Sequence, residues 1–130
     1  MPVDMKMPIL IVDDYSTMLR IIRNLLNQLG FDNIHEASNG QDALEKIKSI
    51  HPAPKLIISD WNMEPICGLD LLKTIRANDN YKNIPFIMVT AESKAENVMA
   101  AKQAGASNYI VKPFNAATLK QKLNSVLGEF

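Results

Sequence analysis

Four apolar runs of the chain end on residues able to do chemistry. Asp13 and Asp14 follow Ile9–Val12, Asp60 follows residues 56–59, Thr90 follows residues 85–89, and Lys112 follows residues 109–111. If these runs are parallel strands of one sheet, three carboxylates, a hydroxyl and an ammonium gather at a single edge. Clustered carboxylates repel one another unless a cation intervenes. A hard, oxygen-binding ion fits best, and Mg²⁺ is the expected one, held by one or two carboxylates, a backbone carbonyl and retained waters. A threonine and a lysine opposite the acids could hold the oxygens of a phosphoryl group, the lysine as a point charge. Together they describe a phosphoryl-transfer centre, where catalysis is mostly positioning and charge neutralisation. Each residue also has a plainer role. Asp14 lies just ahead of Ser16 and Thr17 and could equally be a cap, Asp60 could cap a turn, Thr90 suits a strand by propensity, and Lys112 could be a surface lysine. Such roles would scatter these residues over both ends of the strands, and all of them fall at the same end.

The elements that must position them follow from periodicity. Ile9, Leu10, Ile11 and Val12 form an unbroken apolar run, as expected for a strand buried on both faces. Met18, Ile21, Ile22, Leu25, Leu26 and Leu29 recur at spacings of three and four, which predicts a helix with Ser16 or Thr17 as its N-cap and Gly30 as its stop. Ile34–Ala37 is a short second strand. Ala43, Leu44, Ile47 and Ile50 predict a helix from about Gln41, closed by Pro52 and Pro54. Further helices are expected around Leu69, Leu71, Leu72 and Ile75, over residues 93–104 up to Gly105, and around Leu119, Leu123, Val126 and Leu127 to the chain end. Alternating strands and helices with short connections imply an α/β fold, a doubly wound five-stranded parallel sheet with helices on both faces. Ligands of such sheets bind beyond the carboxyl ends of the strands, where these residues lie.

Length and composition set the bounds. With 130 residues the chain suits one domain over residues 1–130, its core about 8–128, without room for a separate output module. One cysteine excludes an internal disulfide framework or a cysteine-rich zinc site. Lys+Arg 14 against Asp+Glu 14 argues against a nucleic-acid-coating or polybasic membrane role. No leader-like start and no apolar run near the ~20 residues of a membrane span are present, so the expectation is a soluble, cytoplasmic, monomeric domain.

At this point the sequence resembles a response-regulator receiver domain, and within that family the chemotaxis type. The matching pieces are Val12-Asp13-Asp14, Ser16-Thr17-Met18, Ser59-Asp60-Trp61-Asn62-Met63, Gly68-Leu69, residues 71–76, Met88-Val89-Thr90-Ala91-Glu92, residues 103–107, and Tyr109 with Val111-Lys112-Pro113-Phe114. Their order is far more specific than any single piece. The resemblance implies the flavodoxin-like strand order 2-1-3-4-5. It also implies that Asp60 is phosphorylated by a sensor histidine kinase. Asp14, Asp60 and the Asn62 carbonyl would then bind Mg²⁺ directly, with Asp13 acting through water, and Thr90 and Lys112 would contact the phosphoryl oxygens. The family further implies a switch through Thr90 and Tyr109 that biases the surface of the fourth helix, fifth strand and fifth helix toward a target such as the flagellar motor switch protein. Self-catalysed dephosphorylation would be tuned by Asn62 and Glu92, and Lys112-Pro113 would be a cis peptide.

The loop after Asp60 departs from the family pattern. Glu64 stands where proline is common and Cys67 where aspartate is common, while Pro65 is displaced by one position and Gly68 is retained. Glu64 could add negative charge near the metal or simply face solvent; Cys67 could be a redox handle or an incidental small residue. Trp61 could report on the pocket or shield it. His35 and His51 lack ligand partners in the sequence. Met99 fits an adaptable docking face or core filling, and Lys94, Lys102, Lys120 and Lys122 fit a solvated face. Two other functions compete. A haloacid-dehalogenase-like phosphatase would place Asp-x-Asp after one strand and add a cap domain, and a flavodoxin-like FMN carrier would need a Ser/Thr/Gly-rich loop after the first strand. A receiver that only drains phosphate from a shared kinase remains an alternative output.

Overall fold

Unbroken apolar runs become central strands, and in the computed structural model, which describes residues 4–50, 52–64, 66–90, 95–112 and 114–128, all of them pair in parallel. The described elements alternate along the chain as β1 (Ile9–Val12), α1 (Ser16–Gln28), β2 (Ile34–Ala37), α2 (Gly40–Ser49), β3 (Leu56–Asp60), α3 (Gly68–Ala77), β4 (Phe86–Thr90), α4 (Ala95–Gln103), β5 (Asn108–Val111) and α5 (Ala116–Leu127). The five strands form one sheet in the order β2-β1-β3-β4-β5, as the resemblance implied. Chain direction reverses its march across the sheet at β1, so the β1–β3 crevice is the switch point where ligands bind.

Strand alternation divides the core in two. Ile9, Ile11, Ile58, Ile87, Val89 and Ile110 pack on one side with Leu19, Ile22 and Leu26 of α1 and Leu119 and Leu123 of α5. Leu10, Val12, Ile57, Phe86 and Met88 pack on the other with Ala43 and Ile47 of α2 and Leu71, Leu72 and Ile75 of α3. Each fully buried Leu or Ile contributes about 2 kcal/mol. The same alternation carried to the carboxyl edge places Asp13, Asp60 and Lys112 on the α1/α5 side, because each follows an inward residue of that side by two positions.

Three local expectations change. The N-cap of α1 is Tyr15, not Ser16 or Thr17, and it makes no side-chain cap bond. The Tyr15 N–H is instead taken by Asp13 Oδ1 at 3.0 Å, a turn closed by the strand-ending acid two residues earlier. Ile21 is 42% exposed: at 100° per residue it falls beyond the stripe centred on Leu19, Ile22 and Leu26. Helix α2 stops at Ser49, ahead of the prolines, with Ile50 already extended. Gly30 does terminate α1, at φ 105°, and α5 ends at Leu127 against Gly128. The expected start of α4 at residues 93 and 94 lies outside the described residues.

Candidate functional site at the carboxyl edge

The register brings the strand ends level. Val12 lies opposite Ser59, Asp60 opposite Val89, and Thr90 opposite Val111. Beyond the ladder, Trp61 N–H donates to the Val89 carbonyl and Lys112 N–H to the Thr90 carbonyl, at 2.9 and 2.8 Å. These bonds fix the residues just past β3 and β5 to β4.

Asp13, Asp60 and Thr90 are buried, whereas Asp14 is exposed. Carboxylate oxygens of Asp13, Asp14 and Asp60 all lie within 4.8 Å of one another. Neighbouring oxygens of a Mg²⁺ octahedron are about 3.0 Å apart and opposite ones about 4.2 Å, so acids this close can converge on one hard cation, directly or through a bound water. Lys112 Nζ reaches between two of the acids, 3.0 Å from Asp60 Oδ1 and 3.4 Å from Asp13 Oδ2. Burial raises the Asp13 pKa above its usual 3.8, and the Asp60 charge adds to that against the opposing Tyr15 N–H and Lys112. For Lys112, burial pulls the pKa down, but hydrogen bonding and charge from Asp60 and Asp13 outweigh it and leave the ammonium above its usual value. The site holds a permanent cation and more negative charge than that cation can neutralise.

The loop leaving β3 is shaped by Gly68. Its N–H donates to the Trp61 carbonyl at 2.9 Å, and a Cβ there would sit 2.2 Å from the Asp60 carbonyl oxygen. No other residue allows α3 to start so close beneath the acid. The loop and Asp14 line a groove of about 350 Å³ with Trp61, Asn62, Met63, Glu64 and Cys67. Asn62 and Glu64 are exposed, Trp61 and Cys67 half-buried.

Tyr109 is half-buried on β5, with Lys122 Nζ 4.9 Å from its ring centroid. It lines a second groove of about 230 Å³ with Val98, Ala101, Lys102, Ala106, Ser107 and Asn108. Met99 beside it on α4 is 57% exposed, which favours its role as surface over core filling. His35 pairs with Asn33 Oδ1 at 3.1 Å and takes no part in the acid cluster. Glu92, Lys94, His51, Pro65 and Pro113, with the cis peptide expected there, lie outside the described residues.

Sequence reasoning missed two features. One is the division of labour between adjacent acids, Asp13 buried and turn-closing, Asp14 exposed; the Asp13-x-Tyr15 spacing of a side-chain turn was its only signal. The other is Arg76, whose guanidinium donates to the carbonyls of Gly105, Lys82 and Ile84 at 3.0, 3.1 and 2.7 Å. Burial lowers its pKa from the usual value.

A doubly wound parallel sheet with paired acids after β1, an acid ending β3, a threonine ending β4 and a lysine after β5 defines a receiver-type signalling module. The chain belongs to the response regulator receiver domain family, whose model matches residues 9–124. It is 52% identical over 120 residues to the chemotaxis protein CheY-3 of Vibrio cholerae, across 92% of this chain and 91% of that protein. Among solved structures it is similar to the chemotaxis response regulator CheY4 of Vibrio cholerae, with a TM-score of 0.85 and 33% identity over 94% of this chain and 99% of the other. It is also similar to the receiver domain of the sensor histidine kinase PA1611 from Pseudomonas aeruginosa, with a TM-score of 0.83 and 26% identity over 95% and 99% of the two chains. That structure holds a magnesium ion coordinated in its active-site cleft. No helix among the described residues is long and apolar enough to cross a membrane.

Proposed function

We propose that the chain is a single-domain response regulator of a chemotaxis pathway, one receiver spanning residues 1–130, phosphorylated on Asp60 by a histidine kinase. The observation that carries this is the Lys112 ammonium set between Asp13 and Asp60 beside a third carboxylate, at the edge where the strands end. Asp14, Asp60 and the Asn62 carbonyl would hold Mg²⁺, with Asp13 acting through water. The ion, when bound, neutralises charge on the carboxylates and on the incoming phosphoryl oxygens.

An Asp60 carboxylate oxygen attacks the phosphorus of a phosphohistidine on the kinase. The new O–P bond forms as the P–N bond breaks, and the electron pair leaves on the imidazole nitrogen. Lys112 and Thr90 take the phosphoryl oxygens; Lys112 is already charged and placed for this, so little reorganisation is needed. Water later hydrolyses the acyl phosphate, at a rate tuned by Asn62 and Glu92. The chain therefore catalyses reactions on itself and turns over no separate substrate.

Output runs through Thr90, which moves toward the phosphoryl group, and Tyr109, whose ring then reorients in the α4–β5 groove and biases a pre-existing equilibrium toward target binding. The flagellar motor switch protein is the expected target. The module works as a cytoplasmic monomer, without nucleic acid or membrane.

Incubation with acetyl phosphate and Mg²⁺ should add one phosphoryl group to the intact mass. Asp60→Asn should abolish the adduct and Asp13→Asn retain it; unchanged labelling of Asp60→Asn would refute the assignment. A pull-down with beryllofluoride, a phosphoryl mimic, should retain the motor switch protein. Retention in neither state would leave a phosphate sink as the output.

A further inference from the structure

We infer that Glu64 is an electrostatic gatepost for the divalent cation: its charge at the groove mouth strengthens Mg²⁺ loading of the Asp13–Asp14–Asp60 centre without ligating the ion. This rests on the metal site proposed above and extends it to a residue outside the ligand set.

Glu64 and Asp14 are both exposed and line the same groove, together with Asn62. The residues lining that groove include two carboxylates and no cation. Lys112 is not in that lining, and its charge is matched by Asp60 and Asp13, 3.0 and 3.4 Å from its ammonium. An ion entering from solvent therefore passes an unneutralised negative pair before it meets the buried acids. Glu64 is outside the set of carboxylates whose oxygens lie within 4.8 Å of one another. It thus acts through its field and not as a ligand. Its neighbour Met63 is buried, and Gly68 starts α3 hard against the Asp60 carbonyl, so Glu64 lies on a short loop tied to the edge that carries the acids.

A field effect has a signature that a ligand lacks. It scales with charge, ignores side-chain length and is screened by salt. A unit charge acting on a divalent ion across roughly a nanometre of water-like medium changes affinity about threefold at low ionic strength, and almost not at all at about 0.5 M salt, where the screening length is only a few ångströms.

The test is an NMR titration of the ¹⁵N-labelled full chain with MgCl₂, at about 10 mM and about 0.5 M monovalent salt. The amide spectrum also reports whether each variant is folded. At low salt Glu64→Gln should raise the midpoint about threefold, Glu64→Lys about tenfold, and Glu64→Asp should match the parent. At high salt all four should converge. Asp79→Asn, which removes an exposed charge paired with Lys82 ahead of β4 (94% side-chain exposure), should change nothing. Equal midpoints for Glu64→Gln and the parent at low salt would overturn the inference. A difference that survives high salt would do the same, because it would make Glu64 a ligand. Asp14→Asn separates the two levels: if it leaves Mg²⁺ binding intact, the metal site itself is wrong, whatever the Glu64 variants do.

Discussion

At the amino end of the sheet the Arg76 guanidinium is spent on three neutral carbonyls, those of Lys82, Ile84 and Gly105, whereas at the carboxyl end Asp13 and Asp60 share one ammonium. The first arrangement is complete in itself. A planar fork of donors meets acceptors held by backbone, and it ties the end of α3 to the entry of β4 and to the α4–β5 turn. The second is incomplete. Asp13 is driven toward protonation by burial and by Asp60, and a third carboxylate stands at the rim. Both ends bury charge, but only one leaves a deficit of positive charge that a ligand can fill. The amino end is closed by its own hydrogen bonds, and the carboxyl end is left open to a ligand.

The strongest way to break this contrast is to disturb the backbone under the acids. Gly68→Ala forces a methyl group against the Asp60 carbonyl oxygen and should cost about 3 kcal/mol, read as a lower urea midpoint. A cost near zero would mean that the α3 start is free to retreat. Next in size is Arg76→Met at the other end, which removes three hydrogen bonds, the one to the Ile84 carbonyl part-buried, and should cost about 2 kcal/mol. Arg76→Lys should recover little, since a point ammonium cannot span three acceptors. Neither Arg76 variant should shift the Mg²⁺ midpoint, and a large shift would show that the ends are coupled.

The smallest expected change has the opposite sign. A carboxyl whose pKa is raised by folding contributes stability fully below its unfolded value, near 3.8 for Asp13, and loses that contribution as pH rises through the folded value. Asp13→Asn removes the loss. At pH 7 without metal the variant should therefore be more stable than the parent by on the order of 1 kcal/mol, and the gain should vanish below pH 3.8. Saturating Mg²⁺ should narrow or reverse the difference, because the parent binds the ion better. Thermal unfolding across pH, with and without MgCl₂, measures all three.

Much of the carboxyl end was legible before the fold was seen. Apolar runs of three to five residues ending on Asp, Thr or Lys announce buried parallel strands, and the alternation with helices puts their ends together. The amino end was not. Arg76 sits in the last turn of α3 like any helix-ending cation, and its partner Gly105 is 29 residues away. The N-cap of α1 also escaped, because Ser16 and Thr17 are good caps in general, and only the Asp13 carboxylate on the Tyr15 N–H moves the start one residue earlier.

Periodicity and strand-end chemistry are local properties, so the sequence alone determined the α/β alternation, the edge that carries the chemistry and the residue types found there. The meeting of Lys112 with Asp13, 99 residues apart, depends on strand order and register across β1, β3 and β5. So does the burial of Asp13 while its neighbour Asp14 stays exposed. Both are set by how long-range packing stacks the strands, a sum over many weak contacts that no single segment encodes, and the tertiary structure alone decided them.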